Sequence, residues 1–152
     1  MKVFAGCDHA GLRLKRHLIA HLRERGHEVV DLGTDSEESC DYPDFAVAVA
    51  RSVRDQPGTF GLLVCDTGVG ISIAANKVRG IRSVVASNNE IAQRARSHND
   101  ANVVCFGQRF VSEAAAVETL QTFLTTAPDG GRHSRRVAKI TLIEEEERKS
   151  AP

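Results

Sequence analysis

The chain has no net charge to offer a polyanion: across 152 residues Lys and Arg total 20, and so do Asp and Glu. A strong basic or acidic field, the footprint of a nucleic-acid or membrane-surface partner, is thereby excluded, and any anion binding must come from local clustering. It has no apolar run near the roughly 20 residues needed to cross a bilayer. Met1-Lys2-Val3-Phe4-Ala5-Gly6 is too short in apolar residues for a secretion signal and leads straight into structure, so a cytoplasmic location is expected. Cys7, Cys40, Cys65 and Cys105 form no Cys-x-x-Cys pair and have no histidine at zinc-like spacing, which argues against a zinc site. Without a secretion signal disulfides are not expected either, leaving four free thiols, mostly buried, and no metal or cofactor.

What is present is an ordinary globular balance, 41% hydrophobic and 26% charged, in a chain long enough for one core. Short apolar runs recur, each followed by helical spacing. Lys2–Gly6, Glu28–Leu32, Phe60–Cys65, Ile81–Ala86 and Asn102–Phe106 read as strands. Leu14, Leu18 and Leu22 form a stripe ending near Gly26, and Pro43 opens a helix carrying Phe45, Val49 and Val53. Further helices are expected over Ile71–Lys77 and Asn89–Arg96, around Val117, Leu120 and Leu124, and from about Arg135 to Arg148; the acidic run Glu144–Glu147 reads as a solvated helix end. The segment 33–42 reads as a polar loop. With no internal repeat and no linker, residues 1–152 read as a single α/β domain: a three-layer α/β/α sandwich, Rossmann-like, on a five-stranded parallel sheet.

In such a sheet ligands bind beyond the carboxyl ends of the strands. Three polar clusters fall there: Asp8-His9 after the first strand, Cys65-Asp66-Thr67-Gly68-Val69-Gly70 after the third, and Gly107-Gln108-Arg109 after the fifth. The glycine turn lacks the third glycine and the ribose acid of a dinucleotide loop, and the Gly-Lys-Ser/Thr of a Walker loop. It does let backbone N–H groups approach an anion at a helix start. A thiol ending a buried strand against that start has its thiolate favoured. Cys65 is then a candidate carbon-acid base, with the amides of residues 67–72 as a cradle for an enediolate oxygen. For Cys7, Cys40 and Cys105 the inert core thiol is kept as the expectation.

Five segments together, Gly6-Cys7-Asp8-His9-Ala10-Gly11, Asp41-Tyr42-Pro43-Asp44, Cys65 to Lys77, Ser97-His98-Asn99-Asp100-Ala101-Asn102-Val103 and Gly130-Gly131-Arg132-His133, resemble the ribose-5-phosphate isomerase B family, which includes galactose- and allose-6-phosphate isomerases. The likeness spans nearly the whole chain. It implies a metal-independent aldose–ketose isomerase in which Cys65 moves a proton between C1 and C2 of a small phosphorylated sugar. Another branch of the family carries a glutamate at the position of Ile71, so the chain looks cysteine-type. By the same resemblance Thr67 and the Gly68, Val69, Gly70, Ile71 and Ser72 backbone hold the enediolate, and His98 opens the furanose ring, helped by Asp8 or Thr67. His9, Arg132 and Arg136 contact the phosphate, with Arg109 a further candidate, while Asn99 and Tyr42 line the sugar. It also implies a homodimer with shared active sites, in some members a tetramer.

Elementary chemistry agrees with these roles. Arg132 and Arg136 lie four apart, on one helix face if the last helix begins early enough, and suit a phosphate carrying nearly two negative charges. The imidazole of His98 suits proton exchange with a ring oxygen. Taken singly, the arginines also fit helix-surface charges, His98 a capping or core histidine, and Asp8 a helix cap; His17, His21 and His27 read as surface residues. Asp66 stands where the family more often has glycine or asparagine, and an inward carboxylate there would oppose thiolate formation, so it is expected to turn away or to accept loop N–H groups. The alternatives kept open are the same chemistry on a hexose 6-phosphate (allose or galactose) or a tetrulose 4-phosphate, and a non-catalytic phosphate-binding module.

Overall fold

The computed structural model describes residues 1–149 and turns the alternation into strands β1 (Lys2–Cys7), β2 (Glu28–Asp31), β3 (Phe60–Cys65), β4 (Ser83–Val85) and β5 (Val103–Gly107). The helices are α1 (Leu12–Glu24), α2 (Tyr42–Asp55), α3 (Val69–Ala75), α4 (Asn89–Asn99), α5 (Glu113–Thr125) and α6 (Arg132–Lys149). All strand pairs are parallel, in the order β2-β1-β3-β5-β4. One core layer packs α1, α4 and α5 on a sheet face through Leu14, Leu18, Ala92, Ala95, Leu120 and Phe123. The other packs α2 and α3 on the opposite face through Val49, Val53, Ile71 and Ala75, and includes Cys65. This is the expected three-layer sandwich. Both faces are covered, which is why β3 and β5 are apolar throughout and almost wholly buried, as is β1 beyond Lys2.

The chain leaves β1 over one face to β2, then crosses by α2 on the other face to β3. The connection reverses direction between β1 and β3, so the sheet opens a crevice where Cys7 and Cys65 end their strands. Gly11 lets the turn after β1 lie flat on β3: a Cβ there would fall 2.4 Å from the carbonyl oxygen of Val64.

Several expectations are corrected. β4 is shorter than Ile81–Ala86, because Ile81 N–H closes a turn on Val78 instead of joining the ladder. The last helix begins at Arg132, just after Gly131 turns through a positive φ of 63°, so Arg132 and Arg136 do share one helix at i, i+4 spacing. Glu144 is no solvated helix end: its carboxylate accepts the Gly80 N–H at 2.9 and 3.0 Å and fastens α6 to the start of β4. His21 and His27 are half-buried, His21 Nε2 lying 2.9 Å from the Gln121 amide and His27 lowered in pKa chiefly by burial; His17 is exposed as expected. Elsewhere α6 leaves Ile140, Leu142 and Ile143 exposed. Among the described residues no helix is long and apolar enough to cross a membrane.

Candidate active site

The register of β3 on β5 sets Cys65 opposite Gly107, and that of β1 on β3 sets Cys7 opposite Val64. The three polar clusters therefore meet at one edge. Gln108 and Arg109 donate their backbone N–H groups to the carbonyls of Cys65 and Asp66 at 2.9 and 3.1 Å, which ties the loop after β5 to the glycine turn. Gly107 must be glycine here, since a Cβ would sit 2.6 Å from the Thr67 backbone.

At the turn itself Gly68 adopts φ 79°, a conformation open to glycine, and aims its N–H at the Cys65 sulfur at 3.1 Å. A donated hydrogen bond favours the thiolate over the thiol. Thr67 Oγ1 accepts the Val69 N–H at 3.2 Å. The amides of Gly70 and Ile71 fall in the first turn of α3, where no carbonyl four residues back can take them. Ile71 offers only its backbone N–H; Ser72, expected to join it, does not, since its N–H is taken by the Gly68 carbonyl at 3.2 Å. The Ile71 side chain is fully buried, and the Ser72 hydroxyl turns inward to Ser83, which in turn meets Cys105 Sγ at 3.1 Å. Val69 projects outward, 52% exposed. Tyr42 packs the hydroxyl end of its ring against Gly70, where a Cβ would be 2.7 Å from the ring.

Three polar side chains stand at the same edge as the thiol. Asp8 is buried and accepts the Gly11 N–H at 3.1 Å; burial raises its pKa above the ordinary carboxylate value, with Asp66 adding a smaller push in the same direction. Asp8 thus does cap the short turn after β1, and it also overlooks the crevice. His9 is half-buried, its Nδ1 accepting the backbone N–H of Cys40 at 3.2 Å. Asp66, the residue out of pattern, turns from the thiol and accepts Arg109 Nε at 3.0 Å, so its partner is a guanidinium and not the loop amides. That contact also orients Arg109.

The cysteines are not alike. Burial pushes the thiols of Cys7 and Cys105 up to about 12. Cys40, expected in the core, is instead half-exposed beside His9, with Sγ 3.9 Å from Nδ1. At about pH 8, where a thiol pushed to 12 is almost wholly protonated, iodoacetamide is expected to label Cys40 and then Cys65 in the native protein. Peptide mass mapping reads this, and early labelling of Cys7 or Cys105 would contradict it.

His98, Asn99, Arg132 and Arg136 do not join this group within one chain. α4 runs back from the carboxyl edge, and its end is fixed to the opposite edge: Arg82 donates to the carbonyls of Asn99 and Asp100, and Asn102 to Gly80, at the start of β4. The five residue steps of β3 from Phe60 to Cys65 span about 16 Å at 3.3 Å per residue. There His98 stacks on His133, centroids 4.1 Å apart and planes 9° from parallel. His133, which the sequence does not single out as a site residue, follows Arg132 directly. Desolvation, then the charges of His98 and Arg132, lower its pKa.

Among the described residues His98, Asp129 and His133 each bring a candidate ligand atom within 4.8 Å of the others. Stacked rings point their lone pairs side by side instead of toward one point, and Arg132 Nε already donates to His133 Nε2 at 3.3 Å. With Arg132, Arg135 and Arg136 on the same turn of α6, these surroundings suit an anion better than a cation. The chain thus carries two candidate half-sites: a thiol beside the start of α3 at one edge, and a histidine–arginine cluster at the other.

Comparison with known proteins gives these halves a context. The family model for ribose/galactose isomerases matches residues 3–140. The chain is 50% identical to ribose-5-phosphate isomerase B of Escherichia coli (strain K12) over 144 residues, 95% of this chain and 97% of that protein. Ribose-5-phosphate isomerase B of Clostridium thermocellum superimposes with a TM-score of 0.92 at 46% identity, over 96% of this chain and 99% of that one. The Mycoplasma genitalium enzyme, solved with bound ribulose-5-phosphate, gives 0.92 at 40% identity over 95% and 97%.

Proposed function

The chain belongs to the ribose/galactose isomerase family, and from that premise we propose that it interconverts ribose 5-phosphate and ribulose 5-phosphate through a cis-enediolate. The observation that carries the reading is the Cys65 sulfur, held at 3.1 Å by the Gly68 N–H at the start of α3, whose Gly70 and Ile71 amides have no carbonyl four residues back. The Cys65 thiolate takes the proton from C2 of the open-chain aldose, the electron pair moves into the C1–C2 double bond, and the former carbonyl oxygen takes the charge. The amides of Gly70 and Ile71, with Thr67, stabilise that oxygen, and the thiol returns the proton to C1. Proton transfer between the two hydroxyl oxygens completes the ketose.

Ribose 5-phosphate rests as a closed furanose, so an acid–base group must first open the ring. His98 is suited to this, and Asp8, with its raised pKa, is suited to assist by holding or releasing a proton near the same oxygen. Arg132 and Arg136 receive the phosphate with His9, Arg109 is a further contact to it, and Tyr42 and Asn99 flank the sugar. Since the two half-sites stand about 16 Å apart in one chain, completing the site takes a second copy, and the reading includes a homodimer with shared sites, which can assemble further to a tetramer. The exposed Ile140, Leu142 and Ile143 of α6 support such a contact. A single domain over residues 1–152 working in the cytoplasm completes the reading.

Incubation in D2O tests the chemistry. Deuterium is expected at C2 of recovered ribose 5-phosphate and at C1 of ribulose 5-phosphate. A panel including allose and galactose 6-phosphates and a tetrulose 4-phosphate tests the sugar, with kcat/KM for ribose 5-phosphate expected to lead by about tenfold or more. No exchange at either carbon overturns the isomerase, and a different leading sugar overturns the pentose.

A further inference from the structure

Lys15 lies on α1 with its side chain 0% exposed. Its ammonium lies 3.0 and 2.8 Å from the two carboxylate oxygens of Asp31 and donates to the Thr34 carbonyl at 2.8 Å. Asp31 Oδ1 also accepts the Gly33 N–H at 3.0 Å, and Thr34 N–H bonds the Cys7 carbonyl at 3.2 Å. The fit is close: a Cβ on Gly33 would lie 2.6 Å from Cys7 N and 3.1 Å from Lys15 Cδ. Burying an ammonium is costly unless it is paired, and a buried ion pair is commonly no more stabilising than apolar residues of the same size. What the pair supplies beyond stability is geometry. It pins the start of the 33–41 segment to α1, beside the Thr34 N–H contact that ties the same segment to the end of β1.

That segment runs directly into the site. Its far end presents the Cys40 N–H to His9 Nδ1 at 3.2 Å, and Tyr42 follows on Gly70. A ring nitrogen that accepts a hydrogen bond carries no proton, so in the neutral ring the proton sits on Nε2.

We propose that Lys15 is a positioning residue: by pinning the 33–41 segment it keeps the Cys40 amide on His9 Nδ1, and so fixes His9 as a neutral Nε2–H donor toward the phosphate of the substrate. Lys15 matters to catalysis in this way only if His9 contacts the phosphate, as read above. His9 then contributes a directed hydrogen bond, and the charge of the phosphate is left to the arginines.

Long-range 1H–15N NMR of the histidine-labelled protein at about pH 8, above the ordinary histidine pKa, reads the tautomer, with His9→Gln assigning the signal. The wild-type protein is expected to show Nδ1 unprotonated and Nε2 protonated. In Lys15→Met/Asp31→Leu, which replaces both partners by apolar groups and so is expected to fold, the His9 signal moves to a tautomer mixture. KM for ribose 5-phosphate rises about tenfold while kcat changes less than about threefold. Lys15→Met alone provides a second variant. A lowered Tm with an unchanged His9 spectrum and unchanged KM would reduce Lys15 to a stability role and overturn the assignment, as would a wild-type His9 protonated on Nδ1. The NMR arm needs no turnover: an inactive wild-type protein counts against the isomerase, while the His9 signal still decides the role of Lys15.

Discussion

Replacing Cys65 by alanine is expected to lower kcat for ribose 5-phosphate by about a thousandfold or more while the sugar phosphate still binds within about threefold of its wild-type affinity. The split follows from where the residue stands. Cys65 is 5% exposed at the end of β3, beside the sugar carbons in the reading above, whereas the groups assigned to the phosphate are His9, Arg109, Arg132 and Arg136. Removing the base leaves those contacts in place. Alanine also leaves the Gly68 N–H without its sulfur partner, a loss of about 1–3 kcal/mol for a buried donor, so some fall in Tm is expected. Cys65→Ser separates the two effects. Its hydroxyl can still accept the Gly68 N–H, but it ionises far too weakly to serve as a base, so stability is largely kept and turnover is not. Isothermal calorimetry gives the affinity and coupled turnover gives kcat. Activity of both variants within about tenfold of wild type would remove Cys65 from the chemistry and leave a binding module as the better reading.

How much of this could be read in the sequence depended on how local each cause was. β3 matches its expected limits, Phe60–Cys65, because burial on both faces admits little but apolar residues and the flanking Thr59 and Asp66 end the run sharply. β4 was overextended, since an apolar Ile81 looks the same in a strand as in the turn it closes on Val78. The convergence of Asp8, Cys65 and Arg109 was legible because parallel strands bring their carboxyl ends to one edge whatever their order. The pairing of Asp66 with Arg109 was not, because it depends on the register that places Cys65 opposite Gly107. Nor was the Cys40 contact to His9, since the 33–41 segment carries no periodicity from which to place it. The separation of His98 from Cys65 lies between these cases. An eleven-residue helix starting at the carboxyl edge travels about 16 Å, which returns its last turn to the far edge of the sheet.

That geometry makes complementation the sharpest test of how the site is assembled. Cys65→Ala protein and His98→Asn/Arg132→Ala protein are each expected to be nearly inactive, the first lacking its base and the second its ring-opening and phosphate groups. In a symmetric dimer whose sites combine Cys65 of one copy with His98 and Arg132 of the other, mixing restores an intact site. A heterodimer then holds one site with both defects and one with neither. Random reassortment makes about half the dimers heterodimers, so about a quarter of wild-type activity is expected to return, more than a hundredfold above either variant alone. Co-expression with two different tags isolates the heterodimer, which is expected to turn over at about half the wild-type rate per dimer. Were each site built within one chain, every site in the mixture would keep a defect and no activity would return. A rate unchanged on mixing would therefore overturn the shared site, and with it the assignment of His98 and Arg132 to the Cys65 chemistry. The expectation rests on distance: about 16 Å of β3 is too far for proton transfer between side chains, so His98 meets the sugar held at Cys65 only if it arrives from a second copy.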